Sequence, residues 1–308
     1  MNYPEKIYCI IATYNAERWI EKCLNSAIGS SCLMNIVVID NNSSDRTIEI
    51  IKSNHPNVKL IQSEKNLGFG KANNIGIKWA YNEGADCFFL LNQDAWVELE
   101  TVKYLVEKQK QFPEYGILSP LHLYNANKLD WKFKSYLKDK GDEIIHNLSP
   151  DEQDTIIPVR FVNAAIWLVS KQCIDTVGLF APIFDHYGED LNFAHRCKFH
   201  KVKIGIYPKA IGYHERDQSP PKAKRVKLSK LLFRERSYCL GILLNLKHSF
   251  LRQWMFLFFN SLKVIILSIF LLKFKRAVVI LYRLTFIKMI SELINQRKKM
   301  KLRGAFLK

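Results

Sequence analysis

The chain has no cysteine pair at metal-binding or redox spacing: Cys9, Cys23, Cys32, Cys87, Cys173, Cys197 and Cys239 are scattered, and several lie inside apolar runs. This argues against a disulfide framework or a cysteine zinc site and for buried thiols in a reducing compartment. There is no GxGxxG turn and no Walker lysine loop, so the usual sequence support for a dinucleotide dehydrogenase or a P-loop nucleotide hydrolase is missing. No signal-peptide pattern precedes the first apolar run at Ile7, which leads to the expectation of a cytoplasmic catalytic part. Negative charge is scarce in the last third. Residues 201–308 carry 25 Lys and Arg against 4 Asp and Glu, whereas residues 1–200 carry 21 against 25. The net charge of +17 therefore resides in the C-terminal third and calls for an acidic partner surface.

What is present is enough apolar residue, 48% of 308, to bury a full core, which argues against disorder over most of the length. Apolar runs at Ile7 to Ala12, Ile36 to Ile39, Val58 to Ile61 and Cys87 to Leu91 alternate with segments of helical spacing. Ile20, Cys23, Leu24 and Ala27 share one helical face, with Asn15 placed to cap that helix. A second helix is expected from about Ser44 to Ser53, capped by Ser43 or Ser44, and a third near Gly70 to Glu83. Such βαβα alternation predicts an α/β fold with a mostly parallel sheet, helices on both faces, and ligands at the carboxyl ends of the strands. Residues Leu121 to Ile157 read as a polar insertion or lid, and Pro158 to Ser170 as an apolar strand.

Polar residues do cluster at the strand ends. Thr13-Tyr14-Asn15 follows the first strand, Asp40 to Asp45 the second and Asn92-Gln93-Asp94 the fourth. A carboxylate such as Asp94 can hold a hard divalent cation together with substrate phosphates, although Asn and Asp are also common in plain turns. Asn66 to Asn74 forms a glycine-bearing turn into a helix, able to offer backbone N–H groups to an anion or simply to start the helix. Gly188-Glu189-Asp190 puts two acids at a helix start. One serves as a cap, and a carboxylate there can take a proton from an attacking hydroxyl, with Asp190 as the base and Glu189 as the acceptor orienter or the reverse. His214 can complete a metal shell or be structural.

The tail, Ser249 to Ile290, is rich in Phe, Leu, Ile and Trp and punctuated by Arg252, Lys263, Lys273, Lys275, Arg276, Arg283 and Lys288. Trp254 to Leu272 is nearly long enough for a hydrocarbon core of ~30 Å, but Lys263 at its middle favours a helix lying on an anionic membrane surface over a span. Aromatic-rich composition favours lipid over nucleic acid as the acidic partner, with internal helix packing as the alternative to membrane association.

Taken as a set, Ala12 to Asn15, Val38 to Asp45, Asn66 to Asn74 and Leu91 to Ala95 resemble glycosyltransferase family 2. Val177 to Phe180, Tyr187 to Asp190 and His214 resemble its rhamnosyltransferase-like branch, over roughly residues 5–217. The resemblance implies a GT-A-type, Rossmann-like fold, with a nucleotide-sugar-binding half over 1–115, an acceptor-side half over 116–217, and a basic amphipathic helical region over 218–308. It also implies a nucleoside-diphosphate sugar donor, a glycan or lipid-linked glycan acceptor, Mg²⁺ or Mn²⁺, and inversion at the anomeric carbon. Thr13, Asn15, Asp40 and Asn41 would contact the base and ribose, Asn66 and Gly68 would border the nucleotide, and Asn74 and Asn92 would join the donor site. Asp94 and His214 would bind metal, and Asp190 would be the base, seconded by Glu189. Asn92 departs from the family's usual aspartate-x-aspartate, which implies weaker metal affinity. The alternatives are a degenerate non-catalytic member, a basic binding module, and a sugar nucleotidyltransferase, whose glycine- and basic-rich loop after the first strand is replaced here by Thr13-Tyr14-Asn15-Ala16-Glu17.

Overall fold

A computed structural model describes residues 5–125, 128–137, 154–215, 227–270 and 274–307. The sheet is built from β1 (Ile7–Thr13), β2 (Asn35–Asp40), β3 (Lys59–Gln62), β4 (Cys87–Leu91), β5 (Ala95–Val97), β6 (Tyr115–Asn125), β7 (Lys128–Leu129), β8 (Ile157–Val159), β9 (Ile166–Ser170) and β10 (Lys203–His214). Their order is β3-β2-β1-β4-β9-β6-β10-β5, with β7 beside β6 and β8 beside β10. The block β3-β2-β1-β4 is parallel, whereas β9 runs antiparallel to both β4 and β6, and β5 antiparallel to β10.

Period-two alternation explains why both faces of the sheet are covered. Tyr8 and Ile10 of β1 join one core with Ala72, Ile77 and Ala80 of α3 (Phe69–Asn82). Ile7, Cys9 and Ile11 join the opposite core with Ile20, Cys23 and Leu24 of α1 (Ile20–Ile28). The second core also takes Ile51 of α2 (Thr47–Asn54) and Val102, Leu105 and Val106 of α4 (Thr101–Gln111). Each such side chain contributes roughly 1.5–3 kcal/mol of burial. Helix α3 lies very close to the sheet: a Cβ on Gly76 would stand 2.5 Å from Ile10 Cγ2 and 2.6 Å from Ile39 Cδ1, so only glycine fits.

Several local expectations change. Helix α1 starts at Ile20 behind Trp19 with no side-chain cap, because Asn15 adopts φ 49° and its Oδ1 accepts the Ser44 N–H at 2.8 Å. Helix α2 starts at Thr47, since Asp45 Oδ1 accepts the Thr47 N–H and delays the first turn. Leu121 to Asn125 is the end of strand β6 rather than a lid, and Pro158 to Ser170 is two strands joined by a loop, β8 and β9. Of the turn signals in that region, Ala126-Asn127 and Ser149-Pro150-Asp151 fall outside the described residues.

After β7 comes a helical turn, α5 (Trp131–Lys134). Helices α6 (Lys171–Val177) and α7 (Glu189–Phe199) precede β10. The tail then folds as α8 (Leu228–Leu243), α9 (Phe250–Phe270), α10 (Phe274–Leu281), a 3₁₀ segment (Tyr282–Met289) and α11 (Ile290–Met300). It is integral to the body: Cys239, Leu240, Leu243, Leu257, Phe286 and Leu293 form a third core with Ala181, Ile183 and Phe184 from the loop before α7. Arg283 does not reach for a headgroup but is buried against Glu235, Asn260 and Ser261. Arg297 binds the carbonyls of Leu243, Asn245 and His248, closing the α8–α9 turn. The Leu179 N–H donates to Ala305 O at 2.8 Å, tying the end of the described chain to the segment after α6.

Candidate active site

Parallel pairing sets Thr13 opposite Asp40 and Asp40 opposite Gln62, so the loops after β1, β2 and β3 emerge at one edge together with the loop after β4. Between them lies a cleft of about 780 Å³ lined by Thr13, Tyr14, Asn41, Asn66, Gly68, Asn92 and Asp94, among others. Thus Thr13, Asn41, Asn66, Gly68, Asn92 and Asp94 come together as the sequence implied. Asn15, Asp40 and Asn74 do not line it. Asp40 is fully buried and accepts hydrogen bonds from Thr13 Oγ1 (3.2 Å), the Ser43 N–H (3.0 Å) and Ser43 Oγ, so it builds the β2 loop. Asn74 spends both ends of its amide on the backbone of Phe180, each at 2.9 Å.

Asn41 accepts the Leu67 N–H and Asn66 accepts the Gly68 N–H, which shapes the glycine turn. Gly68 has φ 79°, and a Cβ there would fall 1.9 Å from Asp185 O, so this glycine lets the donor-side turn touch the loop before α7. Sequence reasoning missed Gln93, Lys71, Asp185, His186 and Phe233. Gln93 clamps the β1 loop by accepting from the Tyr14 N–H (2.7 Å) and donating to Tyr14 O (3.2 Å), and its place between Asn92 and Asp94 was the available signal. Asp185 sits between Lys71 Nζ (3.1 Å) and Arg236 Nε (3.3 Å). Partial desolvation pushes the His186 pKa down, and its ring stands in the cleft wall. No local signal marks Phe233, which reaches the cleft from α8.

At the far end β10 pairs antiparallel with β5, placing His214 opposite Ala95. Its Nε2 lies 3.4 Å from Asp94 Oδ1, and its Nδ1 is 4.0 Å from Asp130 Oδ2, a carboxylate that also caps α5. Asp94 remains partly exposed to the cleft while His214 is buried. One carboxylate and one imidazole fit a divalent cation that takes further oxygens from a bound diphosphate. No cluster of three or more His, Cys, Asp or Glu suited to a metal occurs among the described residues.

A smaller cavity of about 220 Å³ adjoins the cleft through the shared residues Phe69, Asn92 and His186, and is lined by Lys132, Tyr136, Asn163, Glu189 and Asp190. The turn into α7 holds two consecutive left-handed residues, Tyr187 (φ 67°), whose side chain makes that conformation costly, and Gly188 (φ 95°), which adopts it without penalty. Asp190 is half-buried and its Oδ1 accepts the Leu191 N–H at 2.7 Å. Glu189 is buried against Gly70, and its Oε2 has no hydrogen-bond partner. Burial, then the charge of Asp190, raises the Glu189 pKa to about 7.

The sequence profile described as Glycosyl transferase family 2 matches residues 8–165. The dTDP-rhamnosyl transferase RfbF of Shigella flexneri is 35% identical over 209 residues, 66% of this chain and 66% of that protein. The low-salt glycan biosynthesis hexosyltransferase Agl10 of Haloferax volcanii is 23% identical over 201 residues, 64% of this chain and 62% of that protein. The matched region thus spans less than two thirds of these curated relatives. In fold, the chain is similar to the mannosyltransferase PcManGT of Pyrobaculum calidifontis, solved with GDP-Man and Mn²⁺. That likeness has a TM-score of 0.55 at 15% identity and covers 97% of this chain and 88% of that one. The architecture is of the GT-A type.

Proposed function

Because the chain belongs to glycosyl transferase family 2, we propose that it is an inverting enzyme that moves a sugar from a nucleoside-diphosphate donor to a hydroxyl of a glycan or lipid-linked oligosaccharide. The observation that carries this reading is the continuity of the two cavities. Asp94 lines the donor cleft with the buried His214 beside it, and Glu189 and Asp190 line the space that adjoins the cleft at Phe69, Asn92 and His186. RfbF, by its name a dTDP-rhamnosyl transferase, makes dTDP-rhamnose the first donor to test and surface polysaccharide synthesis the first setting.

Asp94 and His214 would hold the Mg²⁺ or Mn²⁺, which supplies positive charge to the departing diphosphate. Thr13, Asn41, Asn66 and Gly68 hold the nucleotide, and Asn92 stands where donor and acceptor spaces meet. Asp190 accepts the proton of the acceptor hydroxyl as that oxygen bonds to the anomeric carbon, and the bond from that carbon to the diphosphate oxygen breaks on the opposite side. A single in-line displacement of this kind inverts the centre. Glu189, its carboxyl pKa raised to about 7 by burial, orients the acceptor by hydrogen bonding.

The exposed apolar side chains of α9, Leu251, Met255, Phe259, Leu262 and Ile266, fall on one helical stripe beside the basic charge of the last third and support association with the cytoplasmic face of a membrane. Phe250–Ser268 is the single stretch among the described residues long and apolar enough to cross a bilayer. A stable but inactive relative, or a binding module, predicts donor binding without turnover or no donor binding at all. The test is thermal stabilisation by UDP-, dTDP- and GDP-sugars with and without Mn²⁺, followed by product detection with the donor that binds. Stabilisation by one nucleotide class with transfer to a glycan supports the reading. No stabilisation by any donor in folded protein overturns it.

A further inference from the structure

A third cavity, of about 490 Å³, lies between α7 and the α8–α9 hairpin and is lined by Gly188, His195, Tyr238, His248, Arg252 and Phe256 among others. Its position links two regions described separately above. Gly188, the residue before the acids, forms part of the wall of both this cavity and the acceptor-side cavity. Phe256, 54% exposed, stands at the other side on the apolar helix α9. The cavity therefore runs from the back of the reaction centre to the apolar surface.

Its lining is mixed in a way that selects chemistry. Apolar surface from Leu191, Ile242 and Phe256 accommodates an alkyl chain, whereas Arg252, one helical turn from Phe256, places a guanidinium beside it. Arg252 has no carboxylate partner among the described residues. His195 Nδ1 is buried without a hydrogen-bond partner, and the His248 ring joins the same wall. A cation and two imidazoles against an apolar slot complement a phosphate carried on a hydrocarbon chain.

We propose that this cavity binds the single-chain alkyl phosphate of a lipid-linked acceptor, so that the carrier lipid enters from the α9 face and its glycan reaches Asp190 past Gly188. The proposal rests on the acceptor reading given above and names the class of lipid. It predicts that the enzyme distinguishes a carrier lipid from bulk phospholipid, which shares the phosphate but carries two acyl chains and a glycerol.

Gly241 gives a clean test, because it lines the cavity and a Cβ placed there meets nothing within 4 Å. Gly241→Leu projects bulk into the cavity from a position where the Cβ itself meets nothing and favours the helix, and Arg252→Gln removes the cation. The probe is geranylgeranyl diphosphate in detergent micelles, its binding to the full chain followed directly, with inorganic pyrophosphate and phosphatidylglycerol vesicles as competitors. The expected result is binding weakened roughly tenfold or more by either substitution, a loss of about 1.4 kcal/mol, with neither competitor displacing the probe. Equal binding by wild type and Gly241→Leu overturns the proposal. Displacement by pyrophosphate assigns the site to free phosphate, displacement by phosphatidylglycerol assigns it to bulk lipid, and each overturns it too. Transfer to a short, water-soluble glycan acceptor reports separately on the glycosyl-transfer reading and should be unchanged in Gly241→Leu. Loss of that transfer alongside lipid binding would mark a structural effect of the substitution and overturn the assignment.

Discussion

His214 Nε2 stands 3.4 Å from Asp94 Oδ1 although 120 positions separate them in sequence, because β10 returns antiparallel to β5 and sets His214 opposite Ala95. Asp94→Ala should abolish the Mn²⁺-dependent part of nucleotide-sugar binding, and His214→Ala should weaken it. A wild-type protein saturated at ~100 times the dissociation constant gains roughly 2.7 kcal/mol of stability, read as a thermal shift. A metal-dependent shift that survives in Asp94→Ala would remove this pair from the donor site.

Asp190→Asn should lower transfer by roughly 10²- to 10⁴-fold while leaving donor binding intact, since it removes only the proton acceptor. Rapid-quench turnover measured beside donor titration separates the two. Transfer within a few-fold of wild type would shift the base role to Glu189.

Glu189 is a raised carboxylate, with a pKa of about 7 in the folded protein against an ordinary value of 4.5. Between those values the folded state holds more protons than the unfolded one, so stability falls as pH rises through this window and levels off above it. The contribution is on the order of 3 kcal/mol. Urea unfolding at about pH 5 and about pH 8 should show that loss in wild type and not in Glu189→Gln. An identical pH dependence in both proteins would refute it.

Asn74→Leu should destabilise the fold by about 1–3 kcal/mol, because two buried backbone groups of Phe180 lose their partner. Donor affinity per folded molecule should not change. A donor affinity lost at full folding would restore Asn74 to the binding site.

Met255→Glu with Phe259→Glu should move the protein from the membrane to the soluble fraction, whereas high salt alone should leave much of it bound. Purely charge-driven binding would instead collapse with salt.

The parallel half of the sheet was legible because β1, β2 and β4 are short apolar runs with polar ends, and their register then brings Thr13, Asn41 and Asp94 together almost automatically. Asn15, Asp40 and Asn74 were harder to place. An amide or carboxylate beside a cleft can serve a ligand or the loop's own N–H groups, and only geometry shows that Asn15 holds Ser44 and Asp40 holds Ser43. The antiparallel strand β9 could not be told from a parallel one, since a run buried on both faces carries no direction. Phe233 was invisible for another reason: its approach to the cleft depends on how a distant helix docks, and no local pattern encodes that.

Helix α8 carries Phe233 into the donor cleft and, two to three turns later, Cys239, Leu240 and Leu243 into the core shared with the apolar hairpin. Sixteen residues of helix span about 24 Å and bend little. The helix therefore joins the cleft wall to the packing of the apolar hairpin in one rigid element. Cutting the chain before Lys227 would remove Phe233 from the cleft together with the hairpin.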